Sequence, residues 1–481
     1  MENLKEKTAK GLLWGGVSNG IQQLLNLAFG IFLARLLTQA DYGMVGLLTV
    51  FSSLASALQE GGFISALNRK KEVRHDDYNA VFWFNACCSV AIYALLFMAA
   101  PLIADFYNEP ELTPLARYLF IGFVISSLNI VPRAMMFRNL MVKEMNVITL
   151  IALTISGIVG VTLAANGFAY WGIATQTIAF VSMITLLSYA YTRWHPSLRV
   201  SLQPIRSMIG FSSKLVVTNV FTIINQNLFA NLIGKFYSVN EVGNFSQANK
   251  WNQMGHTFVN SMLSGVAQPV FAKVDEDRER QLRVFRKLLR FTAFVSFPAM
   301  LGLSLVSHEV IVIAITEKWI DSAHILGVLC IWGAFVPINN LFANLLITRG
   351  HSSIYMWCTI VLCIMLMGAV IAAYPFGFEW MLWAFVGINI AWLLVWWWFV
   401  HREIGLSFVN MLRDIAPYLL LAAALCMGCH FLLKDINKIY LSLTLKVVIV
   451  GVLYVVILWV AGSVILKESI AYLLGKKKEE A

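Results

Sequence analysis

Residues 18–43, SNGIQQLLNLAFGIFLARLLTQADYG, and residues 218–243, TNVFTIINQNLFANLIGKFYSVNEVG, align without a gap at an offset of 200 residues. Asn19 faces Asn219, Phe29 faces Phe229, Arg35 faces Lys235, Asp41 faces Glu241 and Gly43 faces Gly243, with Ser18 opposite Thr218. Charged pairs and a glycine in one register indicate an internal duplication, a construction common among membrane transporters.

The rest of the chain has membrane-protein composition. It has 481 residues, of which 59% are hydrophobic and only 13% charged, with a formal charge of +10 and a mean hydropathy of +0.72. Soluble domains carry about 25% charged residues, so half that amount cannot cover a water-exposed surface of this size. A cytosolic globular enzyme is excluded, and the apolar content excludes disorder. The basic excess is read first against a membrane, with no nucleic acid partner needed. Seven cysteines lie in apolar runs and read as small buried hydrophobes. Cys426-Met-Gly-Cys429-His430 matches the spacing of covalent haem attachment. It falls inside an apolar stretch where that chemistry has no access, so no cofactor and no metal is expected.

Crossing the hydrocarbon core takes about 20 apolar residues. Fourteen segments qualify, at 11–38, 42–67, 78–105, 113–132, 146–166, 169–192, 209–234, 241–271, 287–307, 322–348, 353–374, 379–400, 415–433 and 441–466. With the N-terminus inside, inner segments hold 27 lysines and arginines and outer segments four. That asymmetry places both termini in the cytosol. The basic segments 193–208 and 272–286 read as short surface helices or linkers, and none is long enough for a soluble catalytic domain. Six spans separate the two copies of the repeat, so both halves share one orientation. The expected fold is an all-α integral membrane protein of about 14 transmembrane helices. It divides into an N-lobe at 1–193, a cytosolic linker at 194–208, a C-lobe at 209–402, and a helix pair with a basic tail at 403–481.

At 100° per residue, Asn19, Gln22, Gln23 and Asn26 share a narrow arc of the first span. Thr49, Ser52, Ser53, Ser56, Gln59 and Glu60 share one side of the second. In the seventh, Lys214, Thr218, Thr222 and Asn225 line up; the eighth carries Gln247 and Lys250 on one side and Asn252 and His256 on another. Amides and hydroxyls also bind helices to each other, but polar stripes on both copies of the duplicated pair favour a shared wet cavity. Lys250 stands nine residues into its span, about 14 Å at 1.5 Å per residue, near mid-membrane. An ionisable group at that depth must face water, a partner or a ligand. Trp251 beside it can stack on a sugar ring or pack against lipid. Lys214 either snorkels to the cytosol or contacts the ligand. Glu60 is the one acidic residue well inside a span, and His256 the one internal proton-binding candidate. The interior is thus cationic and amide-rich, suited to a polyhydroxylated anion.

The N-terminal half resembles the polysaccharide exporters of the multidrug/oligosaccharidyl-lipid/polysaccharide flippase superfamily, in particular the colanic-acid-exporter and O-antigen flippase branch. The resemblance rests on Lys10-Gly-Leu-Leu-Trp14, Leu33-Ala-Arg-Leu-Leu-Thr38 with Asp41-Tyr-Gly43, Glu60-Gly-Gly62 with Ser65-Ala-Leu67, and Phe82-Trp-Phe-Asn85. Ala100-Pro-Leu-Ile-Ala104, Phe106-Tyr-Asn108, Pro110-Glu-Leu112 and Val131-Pro-Arg133 extend it. It implies a V-shaped pair of six-helix lobes around a central cavity, working by alternating access. The implied cargo is an oligosaccharide on undecaprenyl pyrophosphate, flipped across the bacterial inner membrane for O-antigen, capsule or exopolysaccharide synthesis. Membrane lipids, a polymerase and glycosyltransferases of the same pathway are the implied partners. Two positions depart from the family: Phe229 stands where an acidic residue is frequent, and Phe245 where tyrosine is usual. Residues and resemblance together describe a transporter and not an enzyme, in which Lys250 and then Lys214 attract the pyrophosphate as point charges. A cation-coupled multidrug exporter of the same superfamily is the nearest alternative, followed by a membrane polysaccharide polymerase or ligase and by a structural scaffold.

Overall fold

The computed structural model describes residues 2–60, 67, 70, 72–198, 203–273, 277–434, 436 and 438–473. Within its helices, the side chains of 2–17, 58–60, 203–204, 206–217, 262–270, 272–273 and 469–473 lie outside the description. Among the described residues every regular element is helical. The helices are α1 (Glu2–Leu36), α2 (Gln39–Glu60), α3 (His75–Tyr107), α4 (Leu112–Leu119), α5 (Ile121–Leu128), α6 (Ile130–Arg138), α7 (Val142–Ala165), α8 (Tyr170–Thr192), α9 (Gln203–Phe236) and α10 (Val239–Lys273). They continue as α11 (Arg278–Leu305), α12 (Ser307–Ile315), α13 (Ile320–Gly333), α14 (Val336–Thr348), α15 (Ser352–Ala373), α16 (Phe378–Ile404), α17 (Phe408–Leu432), α18 (Ile439–Val460) and α19 (Val464–Leu473).

Nine stretches among the described residues are long and apolar enough to cross a membrane: α3, α7, α8, α11, Glu317–Thr348 containing α13 and α14, Ser352–Phe376 containing α15, α16, α17 and α18. The run α4 to α6, bent by 42° next to Asn129, makes a tenth. The chain is therefore a multi-pass membrane protein. Outside this set stand α1, α2, α9 and α10, the helices whose sequences carry amide and hydroxyl stripes. At 22 to 35 residues each is still long enough for a core ~30 Å thick.

The 200-residue repeat reappears in the helix boundaries. α1 ends at Leu36 and α9 at Phe236; α2 begins at Gln39 and α10 at Val239. The turns are bonded alike. Leu37 N–H donates to the Leu33 carbonyl and Tyr237 N–H to the Ile233 carbonyl, both at 2.8 Å. Thr38 and Ser238 are the N-caps of the second helices: Asp41 N–H donates to Thr38 Oγ1 and Glu241 N–H to Ser238 Oγ, each at 3.3 Å. In the first copy Asp41 Oδ2 also accepts from Thr38 N–H at 2.8 Å, completing a capping box. The acid that marks the repeat register at position 41 is thus a helix-starting device.

The chain forms two compact units, Met1–Gly243 and Asn244–Ala481. The first holds both aligned stretches, and there they touch reciprocally. A Cβ added to Gly43 would strike the Val239 carbonyl, and one added to Gly243 would strike the Gln39 carbonyl. Residues 39 and 239 are themselves counterparts, so the contact is two-fold symmetric and only glycine admits it.

Two spans are broken, each for a stated chemical reason. Proline lacks the N–H that bonds the carbonyl four residues earlier. Pro132 lies four residues after Leu128, where α5 ends, and Pro337 four after Gly333, where α13 ends. Tyr189 Oη donates to the abandoned Leu128 carbonyl at 2.9 Å. Ser296 Oγ donates to the Ala334 carbonyl at 2.7 Å.

The basic segment 272–286, expected as a separate surface element, is largely the opening of α11, capped by Asp277 Oδ1, which accepts from Arg280 N–H at 2.9 Å. Similarly, 203–208 belongs to α9. At α11 the Asp277 cap starts the helix within the charged run. Cys426 and Cys429 pack with Val450, Leu301 and Leu305 as small hydrophobes.

The reciprocal glycine contact is testable. Gly43→Val and Gly243→Val are expected to destabilise the detergent-solubilised protein by at least the ~1–3 kcal/mol typical of overpacking. Gly20→Ala, with no atom within 4 Å of the new methyl, is expected to leave the melting temperature unchanged or slightly raised. Fluorescence-detected size-exclusion melting curves give the comparison.

Candidate functional site

Within the first compact unit, α2, α8 and α9 enclose an open pocket of about 660 Å³. From α2 it receives Thr49, Ser52, Ser53 and Ser56; from α9, Asn219, Thr222 and Gln226; from α8, Thr177. Four-residue spacing brings such side chains to one helix face. Thr49, Ser56, Thr177 and Thr222 each donate their hydroxyl hydrogen to the carbonyl four residues earlier, at 2.9–3.0 Å. With the hydrogen spent on the helix, those oxygens offer the pocket acceptor lone pairs. Asn219 and Gln226 supply both amide donors and carbonyl acceptors. A second pocket of about 360 Å³ shares Thr177 and adds Gln22, Asn26, Thr149, Ser156 and Gln176. Among the described residues, none that lines either pocket is charged. Such a wall matches a neutral polyhydroxylated group, whose hydroxyls both donate and accept.

Of the residues singled out from the sequence, Ser56 lines the larger pocket, and Gln22 and Asn26 line the smaller. Gln22 Nε2 also makes a long 3.5 Å contact with Asn146 Oδ1. Asn19 and Gln23 are exposed on α1 and Asn225 is half-buried on α9, none of them among the residues lining these pockets. The side chains of Lys214, Gln59 and Glu60 lie outside the described residues. Asn219 and Gln226 were not singled out, although the repeat register points to both. They are the counterparts, 200 residues on, of Asn19 and Asn26.

The second compact unit holds Lys250. It is half-buried on α10, and among the described residues nothing forms a hydrogen bond or ion pair with it. Trp251 is half-buried as well and stacks on no aromatic ring among the described residues. The same helix carries buried amides. Asn244 accepts from Ser322 Oγ at 3.1 Å. Gln247 is buried with its Nε2 unpartnered, and Asn252 is fully buried with both polar atoms unpartnered, among the described residues. His256 Nδ1 meets Asn260 Nδ2 at 3.5 Å, and Asn260 Oδ1 accepts from Asn340 Nδ2 at 3.1 Å. His256 is therefore tied into an amide chain between α10 and α14. Lys250 differs from it in having ammonium donors and no protein acceptor among the described residues, a costly state at membrane depth unless water or a ligand supplies one.

Duplicated helical hairpins, proline-broken spans and polar pockets inside an apolar bundle define a membrane transporter fold. Its overall course is that of the solved "Lipid II flippase MurJ, inward closed conformation", at a TM-score of 0.77 and 13% identity, covering 96% of this chain and all of that one. The description "polysaccharide biosynthesis protein" matches residues 32–324, and the chain belongs to this family. Among curated relatives, the lipopolysaccharide biosynthesis protein WzxC of Escherichia coli is 27% identical over 73% of this chain and 72% of its own. The succinoglycan biosynthesis transport protein ExoT of Rhizobium meliloti is 22% identical over 93% and 92%. Phe229 and Phe245, the two departures from the family pattern, are both fully buried. They fill apolar volume, and neither offers a titratable group.

Asn219→Leu and Gln226→Leu, both at exposed positions, are expected to preserve expression and melting temperature while lowering transport about tenfold, the loss of one or two polar contacts. Thr444→Leu, at an exposed position of α18 that lines neither pocket, is expected to transport normally. Surface-polysaccharide yield at matched membrane levels separates them.

Proposed function

We propose that this protein is a flippase for lipid-linked oligosaccharide, moving the sugar unit on undecaprenyl pyrophosphate across the bacterial inner membrane by alternating access. The observation that carries this reading is the pairing of chemistries among the described residues: pockets of amides and hydroxyls without a charged lining residue in one unit, and a lysine on α10 without a partner in the other. Sugar hydroxyls exchange hydrogen bonds with Ser56, Asn219, Thr222 and Gln226. Lys250 attracts the pyrophosphate as a point charge, and Trp251 offers a face for a sugar ring. Gln247 supplies an amide in the same region, and Lys214, Gln59, Asn19, Gln23 and Asn225 are further polar contacts along the path. Glu60 and His256 are the coupling candidates. The names of WzxC and ExoT, in lipopolysaccharide biosynthesis and succinoglycan transport, and of MurJ as a lipid II flippase, support this cargo class.

The proposed architecture has fourteen spans, in six-helix lobes at 1–193 and 209–402 with an added pair at 403–481. Both termini are cytosolic, and the protein works without cofactor or covalent chemistry beside the polymerase and glycosyltransferases of its pathway. The nearest alternative, a cation-coupled drug exporter, would need a carboxylate near mid-membrane, and among the described residues the walls of the two pockets carry none.

In a strain lacking the gene, the wild-type chain is expected to restore surface polysaccharide and confer no drug resistance. Lys250→Ala at normal membrane level is expected to lose roughly 10- to 100-fold of that export, the worth of a charge-assisted phosphate contact, and Lys250→Arg to keep part of it. Full export by Lys250→Ala would overturn the assignment. For orientation, a C-terminal green fluorescent fusion is expected to be bright and an alkaline phosphatase fusion inactive.

A further inference from the structure

The second compact unit has another pocket, of about 660 Å³, that the transport reading does not use. It opens among α11, α12, α17 and α18, and its wall is divided in two. One part is apolar, including Leu301, Leu305, Ile331, Met427 and Phe431. The other gathers Glu309, Lys434, Ser442 and Lys446, with His308 and His430 beside them. These polar groups sit at helix ends, where lipid headgroups meet the protein. Glu309 is in the first turn of α12, Lys434 follows α17, and Ser442 opens α18.

Glu309 is 4% exposed. Its Oε1 accepts from Ser442 Oγ at 2.7 Å and from Lys446 Nζ. Its Oε2 is buried and has no partner among the described residues. Burial pushes the carboxyl up, but the hydrogen bonds from Lys446 and Ser442 outweigh it and hold Glu309 below the usual carboxylate range, so it is an anion at neutral pH. Lys434 is exposed and has no partner among the described residues. Among the described residues of this wall, the lysines and glutamate alone, Lys434 and Lys446 against Glu309, give one net positive charge. An occupant that completes this wall is amphiphilic, carries one negative charge, and brings a hydrogen-bond donor beyond its anion for Glu309 Oε2.

We propose that this pocket is a phospholipid site specific for phosphatidylglycerol. Lys434 takes the phosphate, a headgroup hydroxyl donates to Glu309 Oε2, and the acyl chain lies along Leu301, Met427 and Phe431. The Glu309–Lys446 pair anchors α12 to α18 and presents the free carboxylate oxygen as the selective contact.

Full-length protein, delipidated in detergent, tests this by native mass spectrometry and melting temperature with phosphatidylglycerol, phosphatidylethanolamine or inorganic phosphate added. One phosphatidylglycerol is expected to bind and raise the melting temperature, with the ethanolamine lipid about tenfold weaker and phosphate alone without effect. Lys434→Ala is expected to weaken phosphatidylglycerol about tenfold while leaving the lipid-free melting temperature unchanged. Equal binding of the two lipids, stabilisation by phosphate alone, or undiminished binding by Lys434→Ala would each overturn the proposal. The lipid comparison on the wild-type chain stands whether or not the variant folds.

Discussion

Inside a bilayer a backbone N–H or carbonyl finds no water, so each must be satisfied by the protein itself. That constraint accounts for the helical course of the described chain and for the repairs made where helix fails. Pro132 and Pro337 interrupt their spans by withholding one donor each, and Tyr189 and Ser296 supply hydroxyls to carbonyls at the breaks. The turns of the repeat are closed in the same economical way, by Thr38 and Ser238 capping the helix that follows. Where the two copies meet, two glycines let helix backbones approach until a methyl would collide with a carbonyl.

Polar side chains obey the same constraint, and this gives the interior its functional contrast. Several charges among the described residues are paired between helices. Arg286 meets the buried Asp414 at 2.7 Å, Arg349 meets Glu403 at 3.0 Å, and Lys446 meets Glu309. Pairing offsets the cost of desolvation and joins helices. Lys250 has no such partner among the described residues, and that contrast is why it is the residue proposed to meet a ligand. The hydroxyl-lined pocket makes the complementary point. Its hydroxyls are satisfied by their own helices, so facing the pocket costs little, while their lone pairs stay available to a sugar.

Much of this was readable from residue order. The duplication was visible at an offset of 200 residues, and the structure reproduces that offset in helix ends and turn bonds. The serine and threonine stripe of α2 was legible because helical period alone sets which residues share a face. On α9 the expected stripe supplied Thr222 to the pocket wall, whereas its member Asn225 is not among the lining residues and Asn219 and Gln226, outside that stripe, are. Helical period defines faces but not which face the neighbours leave open, and two adjacent faces of α9 are both polar. The register with Asn19 and Asn26 held the missing information.

Composition, periodicity and charge asymmetry are local or summed properties, so the sequence by itself determined the membrane class and the helical repeat, while the breaks within the expected spans 113–132 and 322–348 came only with the structure. Partnership is different, because it joins residues far apart in the chain. Only tertiary structure decided that Glu309 bonds Lys446 across 137 positions, that Asn225 stands aside while Gln226 faces the pocket, and that Lys250 remains unpaired among the described residues. Each of those outcomes depends on which helix packs beside which, and no window of sequence carries that.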